Sequence, residues 1–191
     1  MKCLLCHEYS LWHICTSCQK IFLTPSLYKR KLNNGIEVIS FYKYNEIKDL
    51  LFTKHTDLGY YIYNLLAKNS FQKFAEEFRV DFKVVSLAVD DNPKGNYSHT
   101  AILNKYLKSK QIQVKHKHLR AKKTNTYSGK SKSYRILHPR DFQLKTFKEK
   151  HIILVDDIIT TGTTLLEASN LLQRQNKEVL FCLTLADVSQ E

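Results

Sequence analysis

HIILVDDIITTGTTLLEA, residues 151–168, decides the reading of this chain. His151 to Val155 is a short apolar strand that runs into two carboxylates, Asp156 and Asp157. Thr160, Thr161, Gly162, Thr163 and Thr164 follow, and helical periodicity begins at about Thr163 and continues to Gln175. A helix start offers unpaired backbone N–H groups and the positive end of its dipole, so it attracts a phosphate. Gly162 lets the backbone approach closely, and the threonine hydroxyls add donors. Acids at a strand's end can accept from sugar hydroxyls or hold a cation, and in open α/β sheets that edge is where ligands bind. The pattern predicts a sugar-phosphate site.

Two other readings fit less of the stretch. A hydroxyl-rich helix cap behind an acid pair explains the threonines, but not the full order of strand, acids, threonines, glycine and helix. A Walker B strand needs a Walker A partner. The nearest candidate, Gly129–Lys130–Ser131, has Thr124 where the first glycine belongs, and no apolar strand precedes it.

Further out, IEVISFY (36–42), KVVSLAV (83–89), Ile112 to His118 and Val179 to Ala186 read as strands. Ile47, Leu50, Leu51 and Lys54 recur at helical spacing, as do Leu58, Tyr61, Ile62, Leu65 and Leu66, and then Ile102, Leu103, Tyr106 and Leu107. Strands alternating with helices predict an α/β fold with a mostly parallel sheet flanked by helices. Asp90 to Asn96 (DDNPKGN) is a turn-rich loop. Arg120 to Tyr134 has almost no apolar content, which predicts a long mobile loop or hairpin over about 120–135.

Cys3-x2-Cys6-x8-Cys15-x2-Cys18 places two CxxC turns close together. Each turn can present two thiolates to one ion, and two turns complete a tetrahedral structural site for zinc, with iron a weaker candidate. Residues 1–24 are therefore read as a small zinc-binding head and 25–191 as the main domain. Cys182, in an apolar run, reads as an inert core residue.

A hydrophobic fraction of 43% excludes a disordered chain. No apolar run reaches a membrane span and no signal peptide is evident, so the expected location is cytoplasmic. The net charge of +12 is unevenly placed: residues 101–150 hold 15 Lys or Arg against two acids. Tyrosines and phenylalanines interleave these cations, a combination suited to single-stranded DNA. The candidate contacts are Lys115, Lys117, Arg120, Lys122, Lys123, Lys130, Lys132 and Arg135. An anionic membrane surface is a further candidate partner, which would make the protein peripheral on the cytoplasmic face of the inner membrane.

Ile153 to Thr163 resembles the phosphoribosyl-pyrophosphate (PRPP) signature of type I phosphoribosyltransferases. The resemblance implies that Asp156 and Asp157 meet the ribose hydroxyls, with or without Mg²⁺, while Thr160 to Thr164 surround the 5′-phosphate. A four-cysteine head joined to that signature resembles the ComF competence-protein family. The likeness implies a protein of natural transformation that handles incoming single-stranded DNA in the cytoplasm, with PRPP as ligand. The alternative is an active phosphoribosyltransferase acting on a nucleobase or another nucleophile. The family's pyrophosphate loop follows a Val-Pro-Val-Pro strand. Here Val84 to Val89 contains no proline, and Lys94 stands where the family has arginine. A lysine supplies a point charge to pyrophosphate rather than a bidentate fork.

Overall fold

A computed structural model describes residues 1–89, 97–122 and 140–189. The loop read at Asp90 to Asn96, with Lys94, lies outside the described residues. So do Lys123, Lys130, Lys132 and Arg135 of the basic segment.

Six strands form the main sheet: β1 (Tyr28–Lys31), β2 (Glu37–Lys43), β3 (Val84–Ala88), β4 (Ile112–Lys115), β7 (His151–Ile159) and β8 (Glu178–Asp187). Their order is β1-β2-β8-β7-β3-β4, parallel except for the antiparallel pair β1–β2. The fold is thus the mostly parallel, helix-flanked sheet that the alternation of elements predicted. A separate two-stranded hairpin pairs β5 (Leu119–Ala121) with β6 (Phe142–Leu144). The mobile loop or hairpin read over about 120–135 falls mostly between these strands, outside the described residues.

The apolar runs follow from burial on both sheet faces, which removes the polar alternation of a half-exposed strand. Ile153 and Val155 of β7 join Ile39, Phe41, Leu183 and Leu185 on one face. That face packs on helices α2 (Tyr44–Leu51), α3 (Asp57–Ala67) and α5 (His99–Lys105), and on α4 (Lys73–Glu77), which continues from α3 through a π-type turn. Ile152 and Leu154 face the other way, with Val38, Val85, Leu87 and Cys182, against helix α6 (Thr163–Arg174).

The cysteine head is built into the first of these cores. Cys3, Ile14, Cys18 and Leu23 are buried in it, and helix α1 (Thr16–Phe22) begins with the Cys15 sulfur accepting from the Cys18 amide at 3.4 Å. The Tyr42 hydroxyl donates to the Leu23 carbonyl at 2.9 Å, and His13 packs against Tyr61 with ring centroids 5.1 Å apart.

One departure from the sequence reading bears on the site. The strand does not stop before the acids: β7 continues through Asp156 and Asp157 to Ile159, paired with β8 as far as Asp187. Both carboxylates therefore sit on a strand that is still hydrogen-bonded, so their backbone is held by the sheet.

Candidate functional site

A cleft of about 580 Å³ opens at the carboxyl end of β7. Asp156 to Leu165 line it continuously, facing Tyr44, Phe52, Lys54 and Arg140 from other parts of the chain. The structure thus brings Asp156, Asp157, Thr160, Thr161, Gly162, Thr163 and Thr164 together around one opening.

Gly162 caps α6 in the left-handed region at φ 74°. A β-carbon there would lie 2.7 Å from Leu32 Cδ2, so the residue is required by both conformation and space. The Thr161 and Thr163 hydroxyls meet at 2.9 Å. The Gly162 carbonyl accepts from Leu166 at 2.9 Å and starts the helix, so the amides just before Leu166 have no intrahelical acceptor. Behind the loop, Arg30 of β1 donates to the Thr160 carbonyl at 2.6 Å and lies 3.3 Å from the buried carboxylate of Asp187. That contact ties the start of the threonine turn to the end of β8.

The acids are differently placed. Asp156 Oδ1 accepts from the Asp157 amide at 2.9 Å, and Asp157 Oδ1 from the Ile158 amide at 2.8 Å. Burial, followed by the neighbouring Asp157 charge, pushes the Asp156 carboxyl well above the usual carboxylate range, and Arg140 opposes the shift. Asp157 is paired with Lys54 at 3.5 Å. Tyr63, buried beneath the pair, is held far above the usual phenol range by burial and then by Asp157.

Lys54 reaches the cleft because α2 ends at Leu51 and a 3₁₀ turn, Phe52–His55, carries it around. The turn is pinned. The Lys54 carbonyl accepts from the Tyr97 hydroxyl at 2.7 Å and contacts the His99 ring. Gly59 of α3 lies so close that an added β-carbon would be 2.1 Å from the Thr53 oxygen. Sequence reasoning placed Lys54 on a helical stripe and gave Arg140 and Arg30 no role. All three act across the fold, and local spacing carries no signal for them.

The four cysteine sulfurs of the head lie within 4.8 Å of one another, with Cys6 and Cys15 at 3.8 Å. A tetrahedron of thiolates about 2.3 Å from one ion has edges of roughly 3.8 Å, so the set fits one metal. Burial alone would raise the Cys3 thiol, but amides from Cys6, Cys15 and Leu5 outweigh it and bring it down to about 6. Burial and the neighbouring thiols push Cys18 up to about 12. Cys182 is buried in the core, as read, and burial raises its thiol.

Two of the described candidate cations of the basic stretch form ion pairs within the fold. Lys115 pairs with Glu149 at 3.3 Å, and Lys122 with Asp141 at 3.5 Å. Arg120 is half-buried on β5, and Lys117 sits exposed on a turn at φ 59°. Of the interleaved aromatics, Phe142 is buried and Phe147 lies under Lys177, 4.4 Å from its ring centroid.

Residues 102–191 match the family model for the phosphoribosyl transferase domain. No curated protein matches the chain significantly. Among solved structures it is similar to a hypoxanthine phosphoribosyltransferase from Staphylococcus aureus, at 18% identity over 65% of this chain and a TM-score of 0.40. The chain spans 62% of that protein. It is also similar to the orotate phosphoribosyltransferases of Mycobacterium tuberculosis (15% identity, 91% of this chain and 83% of that one, TM-score 0.42) and Aeropyrum pernix (18%, 90% and 80%, 0.38). No helix among the described residues is long and apolar enough to cross a membrane.

The raised Asp156 carboxyl has a consequence for stability. The unfolded chain releases that proton near the ordinary value of about 3.9, while the folded protein holds it to higher pH. Stability is therefore lost as pH rises between those two points. Asp156→Asn is expected to raise the Tm at pH 7, with the gain shrinking toward pH 4. Thermal melts across that range check it, and an unchanged or lower Tm at pH 7 would refute it.

Proposed function

We propose that the cleft binds PRPP, with Mg²⁺, and that the protein uses it in handling single-stranded DNA during natural transformation. The observation that carries the first part is the convergence of paired acids and a glycine-capped helix start in one cleft. The 5′-phosphate would meet the amides and hydroxyls from Thr160 to Thr164. The ribose hydroxyls would meet Asp156 and Asp157, and Mg²⁺ would neutralise pyrophosphate. The match of residues 102–191 to the phosphoribosyl transferase domain supports this reading.

The second part rests on the concentration of cations in residues 101–150 and on the resemblance to ComF proteins. Lys117 and Lys122 are the exposed candidates among the described contacts; Lys123, Lys130, Lys132 and Arg135 lie in the undescribed segment. Cytoplasmic location, and attraction to an anionic membrane surface, belong to the same proposal. We further assign the head a structural zinc ion held by Cys3, Cys6, Cys15 and Cys18. All four ligand positions come from protein, which leaves none open for catalysis.

A second reading, an active phosphoribosyltransferase, is favoured by Lys54 and Arg140. Two cations beside the acids are the kind of positive charge that departing pyrophosphate requires.

Three measurements test these assignments. Calorimetry with PRPP is expected to give a Mg²⁺-dependent heat that Asp156→Asn/Asp157→Asn abolishes. The same heat in the double variant would remove the site. Affinity for an oligonucleotide should fall with salt by about 0.7 log units per log unit of salt for each phosphate contacted, and salt-independent affinity would count against DNA binding. Freshly purified protein should hold one equivalent of zinc, and Cys3→Ser should lower both zinc content and Tm. Metal-free, fully stable protein would end the zinc assignment.

A further inference from the structure

Glu167 lies at the start of the second turn of α6, and both of its carboxylate oxygens are used. Oε2 accepts from the Arg140 amide at 3.1 Å and Oε1 from the Asp141 amide at 2.8 Å. One carboxylate thus captures two successive backbone donors, which fixes both the position and the direction of the chain there. The backbone at that point would not settle unaided: Asp141 adopts φ 53°, a conformation rare for residues with a side chain. On its far side the Asp141 carbonyl accepts from the Lys122 amide at 3.1 Å, and Phe142 is buried in the core.

The residue set in place by this clamp is Arg140, which lines the cleft together with Asp156. Asp156 faces Asp157 on its own strand, Tyr63 of α3, Cys182 of β8 and Arg140; the cation among these is Arg140. A guanidinium presents a planar fork that matches phosphate oxygens.

We propose that Glu167 is a positioning residue for the PRPP site. Its carboxylate holds the Arg140 amide so that the guanidinium stands beside Asp156 and toward the ligand's phosphate groups. Because Glu167 and the phosphate-binding amides belong to one helix, the guanidinium and the phosphate donors share a rigid frame. The proposal rests on the PRPP reading of the cleft and adds to it the residue that aligns the arginine.

The test is a double-mutant cycle on the full chain, read by PRPP affinity. Arg140→Ala and Glu167→Ala should each weaken binding about tenfold, the loss expected for one charge-assisted contact. The double variant should be no weaker than Arg140→Ala alone. Glu167→Gln keeps one acceptor oxygen and should fall between. The pH at which binding sets in should rise in both single variants, because Arg140 no longer opposes proton retention by Asp156; a purely structural role would leave that pH unmoved. Additive losses in the double variant, or wild-type affinity in Glu167→Ala, would overturn the assignment while leaving the cleft's ligand intact. A wild-type chain with no affinity for PRPP would overturn both.

Discussion

Two carboxylates carried on adjacent residues of a strand that is still paired with β8 impose the constraint to which the rest of the site answers. A strand points successive side chains to opposite faces, so Asp156 and Asp157 leave β7 in different directions and meet different surroundings. Asp156 lines the cleft on the Arg140 side, where burial raises its proton affinity; Asp157 turns toward the 3₁₀ turn and Lys54. Removing two charges from water is costly unless cations or donors compensate. The chain compensates from two separate directions, with Lys54 from the segment before α3 and Arg140 from just before β6. The sheet supplies the acids, and the surrounding connections supply the cations.

That division explains what the sequence disclosed. The strand, the acids, the threonines, Gly162 and α6 are contiguous, and each is fixed by local chemistry: β-branched residues for a buried strand, a glycine for φ 74°, a helix start for anions. The half of the cleft built from the acids, threonines and helix start was therefore legible from residues 151–168. The cysteine cluster was legible for the same reason, since paired CxxC turns bring their own sulfurs together.

The cationic half was not legible, because its members are brought in by tertiary packing. Lys54 sits at helical spacing from Leu50 and Leu51, and nothing local says that the helix stops at Leu51. The turn that follows is pinned by a distant group, the Tyr97 hydroxyl on the Lys54 carbonyl, and Gly59 of the next helix admits the Thr53 oxygen. Arg140 looked like one more cation in a basic stretch until Glu167, 27 positions later, marked it out. Arg30 is a strand residue whose partners, Thr160 and Asp187, lie at the far end of the chain. Charge counting also carries no signal for the pairings of Lys115 with Glu149 and of Lys122 with Asp141.

The cysteine head connects to this arrangement through packing. Cys3, Ile14, Cys18 and Leu23 share a core with Ile62, Tyr63 and Leu66 of α3. That helix carries Gly59 at its start and Tyr63 beneath the acids, and its Tyr61 meets His13 of the head. A head of some two dozen residues has too little apolar surface to fold alone, and four thiols gathered within 4.8 Å of one another suit its size. Seated in this way, the head supports the helix against which the Lys54 turn is packed. Its distance from the cleft along the chain therefore understates its part in shaping it.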